Sequence, residues 1–281
     1  MNPIDTARRL QQRPGSLRHP EQIMLAAFGV FCFVYPFAIL LLSFDWMPFG
    51  MEWMSSLLLA MLGVASWAWL WVNFGKLGLG LGGVLFMLGL ALEYVGVGTG
   101  MPFGRYRYTG VLVPGLPGGV PLAIGFAWQL IVVSGLFTAF KLFGSRALAN
   151  RWAACVLGAL LAVGLDLLLE PVAYHVKRYW EWLDLEGGYY GVPWSNFATW
   201  FVAALVMNLV VLALLKVQGD LRWPWLPLVL YAMNVVMFGI VNVAHGFWLA
   251  GLVALLLAVV VAPTLRQRSH RSGSQPSPLG R

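Results

Sequence analysis

Charge is the scarcest commodity in this chain. Only 10% of its 281 residues are Asp, Glu, Lys or Arg, against roughly 25% in a soluble domain, so a water-exposed globule is excluded. Cysteine is nearly absent. Cys32 and Cys155 both sit in apolar runs, which rules out a disulfide framework and reads as two small buried hydrophobes. Histidine is scarce as well, with four copies, two of them in the polar termini. Membrane di-iron enzymes need many histidines at helical spacing, so no metal site is expected. The chain also lacks paired Asp-rich motifs for a magnesium diphosphate. No Walker lysine follows the glycines of GVGTGMPFG, and no lysine lies mid-span to carry a retinal Schiff base. No cofactor is expected.

What is present is hydrocarbon. Sixty per cent of the residues are hydrophobic and the mean hydropathy is +0.77. A bilayer crossing takes about 20 apolar residues, and eight runs qualify: 23–44, 53–74, 77–98, 120–142, 151–172, 196–217, 224–243 and 247–264. The last two are short and nearly joined, so seven crossings are also possible. The expected fold is therefore all-α, a polytopic membrane helix bundle of about eight transmembrane helices. A polar, basic segment 1–22 precedes the single helical domain 23–264, and a disordered basic tail 265–281 follows it. No removable signal peptide is read at the start.

The net charge of +7 is an address, not a nucleic-acid footprint. With eight crossings, fourteen of the eighteen basic residues fall on one side, and only Arg105, Arg107, Lys177 and Arg178 fall on the other. By the positive-inside rule both termini are cytoplasmic in a multi-pass plasma-membrane protein. No nucleic-acid partner is expected; the bilayer is.

Three carboxyls are then out of place. Glu93 stands about 24 Å along the third run, and Asp166 stands at a similar depth in the fifth. Glu170 is one turn further on the same face as Asp166. Carboxyls inside a span cost about 2.5–3.5 kcal/mol each on insertion scales and usually face a bundle interior or a cavity. All three gather in the outer half of the bilayer. Glu93 could instead pair with an arginine, and Asp166 and Glu170 could form a structural network with Lys177 or Arg178. Glu170, nearer the interface, is expected to be hydrated. The loop GTGMPFGRYRYTG brings Arg105, Tyr106 and Tyr108 to the same mouth. Trp128 opens the fourth helix there, and the segment EPVAYHVKRYWEWLDLEGGYYGVPWSNFATW adds His175, Tyr190, Trp194 and Asn196. These eight residues are the candidate lining of a binding site, with Arg105 more suited to anchoring the loop than to reacting.

The stretch E-x-x-G-x-x-TG-x-PFG-x-Y-x-Y from Glu93 to Tyr108, with GVPLAIGFAWQ after it, resembles the carotenoid-biosynthesis membrane protein family. So do the later blocks DLLLEPVA and GYYGVPWSNFATWF. That family takes in the carotenoid 1′,2′-hydratases and the bisanhydrobacterioruberin hydratases. The resemblance is clear over residues 85–205 and implies addition of water to the terminal double bond of an acyclic carotenoid end group, of lycopene or γ-carotene type. Carotenoid and water are then the reactants, and other membrane enzymes of carotenoid synthesis are candidate partners. The resemblance assigns no catalytic residue; chemistry must do that. Hydration of a trisubstituted alkene needs an acid that is still protonated near neutral pH, and burial in low dielectric favours the neutral carboxyl. Aromatic faces shelter the resulting tertiary cation at about 0.5–2 kcal/mol each. On this reading Asp166 donates the proton, Glu93 orients water or takes its proton, and Glu170 relays. A non-catalytic isoprenoid-binding or transport protein, or an end-group cyclase that excludes water, remains the alternative.

Overall fold

The structure is a computed structural model and describes residues 17–146, 150–184, 188–215, 217 and 221–266. Of the expected tail 265–281, residues 265 and 266 are helical and 267–281 lie outside the described residues, as do residues 1–16 of the segment 1–22. Seven helices follow in order: α1 His19–Ser43, α2 Trp53–Thr99, α3 Leu122–Phe143, α4 Arg151–Pro171, α5 Trp194–Leu214, α6 Leu226–Ala244 and α7 Trp248–Arg266. Two three-residue strands, β1 Tyr106–Tyr108 and β2 Trp180–Trp182, a 3₁₀ turn Gly144–Arg146 and a π-helical turn Val172–Val176 complete the elements among the described residues. The protein is an all-α polytopic bundle. Six helices are long and apolar enough to cross a membrane, and residues 248–264 of α7 form a shorter apolar helix.

α2 accounts for two crossings, not one. Its 47 residues contain a single break at Gly75, with φ 59° and ψ −142°, a conformation open essentially to glycine alone. A straight helix would put Trp67 and Leu79 about 18 Å apart. Instead the Trp67 indole donates to the Leu79 carbonyl at 2.8 Å, and the Trp67 and Phe86 rings lie 5.8 Å apart. The helix therefore folds back into limbs 53–74 and 76–99, which match the second and third sequence runs. Eight rods result among the described residues.

α3 is the axle. Nearly every residue from Ala123 to Phe140 is buried, and it packs on α2, α4, α5, α6 and α7. α1 lies at the edge, against α2 and α6, which is why Val30, Phe33, Phe37 and Leu40 on its outer face are exposed to lipid. α1 also starts earlier than the hydropathy suggests, at His19. Glu21 is fully buried there, accepting from Trp223 Nε1 and pairing with Arg222 Nη2 at 2.7 Å. One ion pair at the helix start thus extends α1 into the polar segment.

The two ends of the bundle differ. One carries the Gly75 turn and the segments 144–150 and 215–225. The other carries the long segments 100–121 and 172–193, which meet as an antiparallel ribbon, β1 against β2. This ribbon covers the end of the bundle where the carboxyls lie.

Two outcomes are expected from this architecture. Gly75→Val should lower stability in detergent by about 1–3 kcal/mol, seen as a lower Tm, since a Cβ there meets no neighbouring atom and only the backbone suffers. A reporter fused within 181–184 should read external and one after Lys141 cytoplasmic; the reverse result would invert the bundle.

Candidate functional site

Strand alternation builds the cover of the site. In the ribbon, Tyr106 pairs with Trp182, Arg107 with Glu181, and Tyr108 with Trp180. Successive side chains point to opposite faces, so the four aromatic rings go inward together and the charges go outward together. Outside, Arg107 bonds Glu181 at 2.7 Å and Arg105 bonds Asp184 at 2.6 Å, both pairs well exposed. Hydrogen bonding to Arg105 holds the Asp184 carboxyl below its usual range. Inside, every polar atom of the four rings reaches a carboxyl.

Glu93 receives three donors. Tyr106 Oη donates to its Oε2 at 2.6 Å, Tyr108 Oη to the same oxygen at 2.7 Å, and Trp128 Nε1 to Oε1 at 2.9 Å. Two glycines permit this. Gly96 leaves room for the Tyr106 hydroxyl and Gly89 for Trp128, since a Cβ at either would come within 2.7 Å of the incoming side chain. Burial, followed by the nearby Glu93 charge, pushes the phenols of Tyr106 and Tyr108 far above their ordinary values. They therefore remain donors at any working pH.

Glu170 also receives three donors. Trp180 Nε1 and Trp182 Nε1 reach its Oε2 at 3.1 and 3.2 Å, and Asn196 Nδ2 reaches Oε1 at 3.2 Å. The same Asn196 nitrogen donates to Asp166 Oδ2 at 2.8 Å. One amide therefore bridges the two acids, which stand one helical turn apart on α4. Asp166 is fully buried, and its Oδ1 has no protein hydrogen-bond partner among the described residues. Glu170, expected at a wet interface, is instead 2% exposed, because the ribbon closes over it.

The three acids have no basic partner among the described residues. The ion pairs there are Arg105–Asp184, Arg107–Glu181 and Arg222–Glu21. The alternative in which Glu93 pairs with an arginine, or Asp166 and Glu170 with Lys177 or Arg178, is not the arrangement seen. Burying three bare carboxylates together without a cation would be very costly, so the cluster suits acids that keep and exchange protons.

Beside the cluster lies a cavity of about 140 Å³. Glu93, Glu170, Asn196, Tyr106 and Tyr108 supply its polar wall, and the remainder is largely apolar or aromatic, Phe103, Trp128 and Trp200 included. Trp128 and Trp200 stack with centroids 4.1 Å apart and planes at 17°. Asp166 does not line this space; it sits behind Asn196 and Glu170.

The sequence candidates thus divide. Glu93, Tyr106, Tyr108 and Trp128 form one hydrogen-bonded group and Asp166, Glu170 and Asn196 a second, the two joined through the ribbon. His175, Tyr190 and Trp194 join neither group: the His175 ring bonds the Tyr190 carbonyl and lies 5.5 Å from the Phe247 ring at a tilt of 30°, and Trp194 is 64% exposed. Arg105 stays on the outer face of the ribbon. Trp180, Trp182 and Trp200 were not singled out from sequence. The signal for the first two was available in the alternation of WEW, which mirrors YRY in both ring spacing and opposite charge. Among the described residues no cluster of three or more His, Cys, Asp or Glu could hold a metal ion.

The family model described as carotenoid biosynthesis protein matches residues 52–261. Over 127 residues the chain is 32% identical to a bisanhydrobacterioruberin hydratase of Haloarcula japonica. That alignment covers 45% of this chain and 42% of the relative, less than half the relative's length. No solved structure matches.

Each donor to Glu93 is open to test. Tyr106→Phe and Tyr108→Phe should each cost about 1–3 kcal/mol of stability by leaving a buried acceptor short of a partner, measured by thermal unfolding in detergent. Arg107→Ala, on the exposed face, should cost under about 1 kcal/mol.

Proposed function

The chain belongs to the carotenoid biosynthesis protein family, and from that premise we propose that it hydrates the terminal double bond of an acyclic carotenoid end group. The observation that carries this reading is the cluster of three carboxyls, without a basic partner among the described residues, beside a largely apolar, aromatic cavity. The name of the Haloarcula relative, a hydratase, supports the same reaction type.

The geometry suggests a division of labour. Asp166 and Glu170 act as one acid pair bridged by Asn196, in which a shared proton belongs to the pair. Asp166 was the donor expected from sequence. Glu170 is the member on the cavity wall, so it delivers the proton and Asp166 replenishes it. The proton goes to the less substituted alkene carbon and leaves a tertiary carbocation. The stacked indoles of Trp128 and Trp200 shelter that cation. Glu93, with both oxygens already accepting from phenols and an indole, is suited to the ionised form. It stabilises the cation across the cavity and accepts a proton from the attacking water. The product is a tertiary alcohol, and the proton taken by Glu93 returns to the pair, so no net acid is consumed. Lycopene and γ-carotene are the substrate type proposed; the location proposed is the plasma membrane, and the basic-residue asymmetry supports a site in the outer half of the bilayer.

Expression in cells that accumulate lycopene should yield a pigment heavier by one water, with its oxygen drawn from labelled water and not from oxygen gas. An isomer of equal mass would mean cyclisation, and label from oxygen gas would mean a hydroxylase. Glu170→Gln, Asp166→Asn and Glu93→Gln should each insert normally and lose about 10²–10⁴-fold in rate. Near-normal conversion by all three would make the cluster structural.

A further inference from the structure

A second apolar space backs onto the first. It is a groove of about 500 Å³ in the wall of the bundle, lined by Leu88, Leu92, Pro102, Ser195, Ala198, Thr199, Val202, Ala203, Val206 and Met207. Its two helical walls are the second limb of α2 and α5, and both helices also wall the cavity. Leu92 faces the groove where Glu93 faces the cavity; Thr199 faces the groove where Trp200 faces the cavity. Between these helices Pro102 lies on the groove side and its neighbour Phe103 on the cavity side. Two hydroxyls clip this pair to α5: Ser195 Oγ donates to the Phe103 carbonyl at 2.6 Å, and Thr199 Oγ1 to the Pro102 carbonyl at 3.0 Å.

Pockets for drug-sized ligands run from about 300 to 1,000 Å³, so a cavity of about 140 Å³ takes only the end of a long isoprenoid. The rest of the molecule must lie outside it. The groove shares both helical walls with the acid site and is apolar apart from Ser195 and Thr199. Both hydroxyls are already engaged. Val202 and Val206 on its surface are 59% and 52% exposed, which leaves the groove open toward the hydrocarbon of the membrane.

We propose that this groove is the binding site for the polyene chain of the substrate, and that the end group passes from it into the acid cavity past Pro102–Phe103. The inference rests on the hydratase reading for its occupant, but the seat itself can be tested without turnover. Cys32, expected to be buried, is exposed on α1 while Cys155 is buried, so Val202→Cys is placed in a Cys32→Ser background of the full chain, reconstituted in lipid nanodiscs. Maleimide labelling is then followed with and without lycopene. Lycopene should slow labelling several-fold over the lipid background. Equal rates with and without it, whether fast or already slow in lipid alone, would overturn the proposal.

A second variant reads the same seat through kinetics. Val202→Trp fills the groove from an exposed position and leaves the acid cluster untouched. It should raise KM for lycopene by about tenfold or more with kcat nearly unchanged, the signature of lost uniform binding. A short acyclic terpenoid with the same terminal double bond should be hydrated as by the unsubstituted protein. Unchanged kinetics for both substrates would sink the groove as a chain seat, and so would an equal loss for both. Absence of any hydrated product from the unsubstituted protein, with lycopene still protecting Val202→Cys, would remove the hydratase reading and leave the groove standing.

Discussion

A carboxyl surrounded by hydrocarbon must be given donors or held neutral, and this bundle meets that constraint three times within one small volume. Glu93, Asp166 and Glu170 come from two helices that are far apart in the chain. Their combined requirement for donors draws in a tyrosine pair, three indoles and one amide. The placement of the connecting segments follows from it. Segments 100–121 and 172–193 cannot run loosely over the bundle end, because their aromatic side chains are committed to acids below. A three-residue ribbon is marginal alone in water; here the buried hydrogen bonds hold it in place.

The same commitments separate two kinds of polarity. Toward the acids, the network consists of neutral N–H and O–H donors, which stabilise charge without importing a fixed counter-ion. Toward the opposite end, Glu21 is met by Arg222 and Trp223, a closed pair that has no proton to offer. One end of the molecule therefore pairs its buried carboxyl with a cation, and the other surrounds three of them with neutral donors and no basic partner among the described residues. The contrast explains why a buried acid alone is weak evidence for chemistry, while a cation-free cluster against a cavity is stronger.

Much of this was legible in the sequence, for identifiable reasons. Long apolar runs fix helices because lipid offers no alternative partner for the backbone, so the rods emerged nearly at their observed bounds. The fold-back inside α2 was legible as two runs of spanning length, although only the backbone angles at Gly75 show how the turn is made. Glu93, Asp166 and Glu170 were conspicuous because they are expensive where they stand. Depth along a helix, however, says nothing about what lies over it. Glu170 was read as wet, and its cover by Trp180 and Trp182 depends on two distant segments pairing in register. His175, Tyr190 and Trp194 share the mouth in sequence and not in space, since membership of a long segment does not decide which residues turn inward. Asn196 was named, but its bridging of two acids is a matter of helix phase between α4 and α5.

The ribbon's two faces also answer differently to the surrounding medium. The outward pairs, Arg105 with Asp184 and Arg107 with Glu181, stand in water, where attraction between unit charges fades within a Debye length of about 8 Å at physiological ionic strength and about 3 Å at 1 M. The inward contacts are dipoles shielded from electrolyte, and dissolved salt reaches them little. A cover held by charges alone would loosen in brine and tighten in fresh water. This one has its grip on the sheltered side, so the closure over the acids is largely indifferent to salinity, and the exposed charges serve register and solubility more than adhesion.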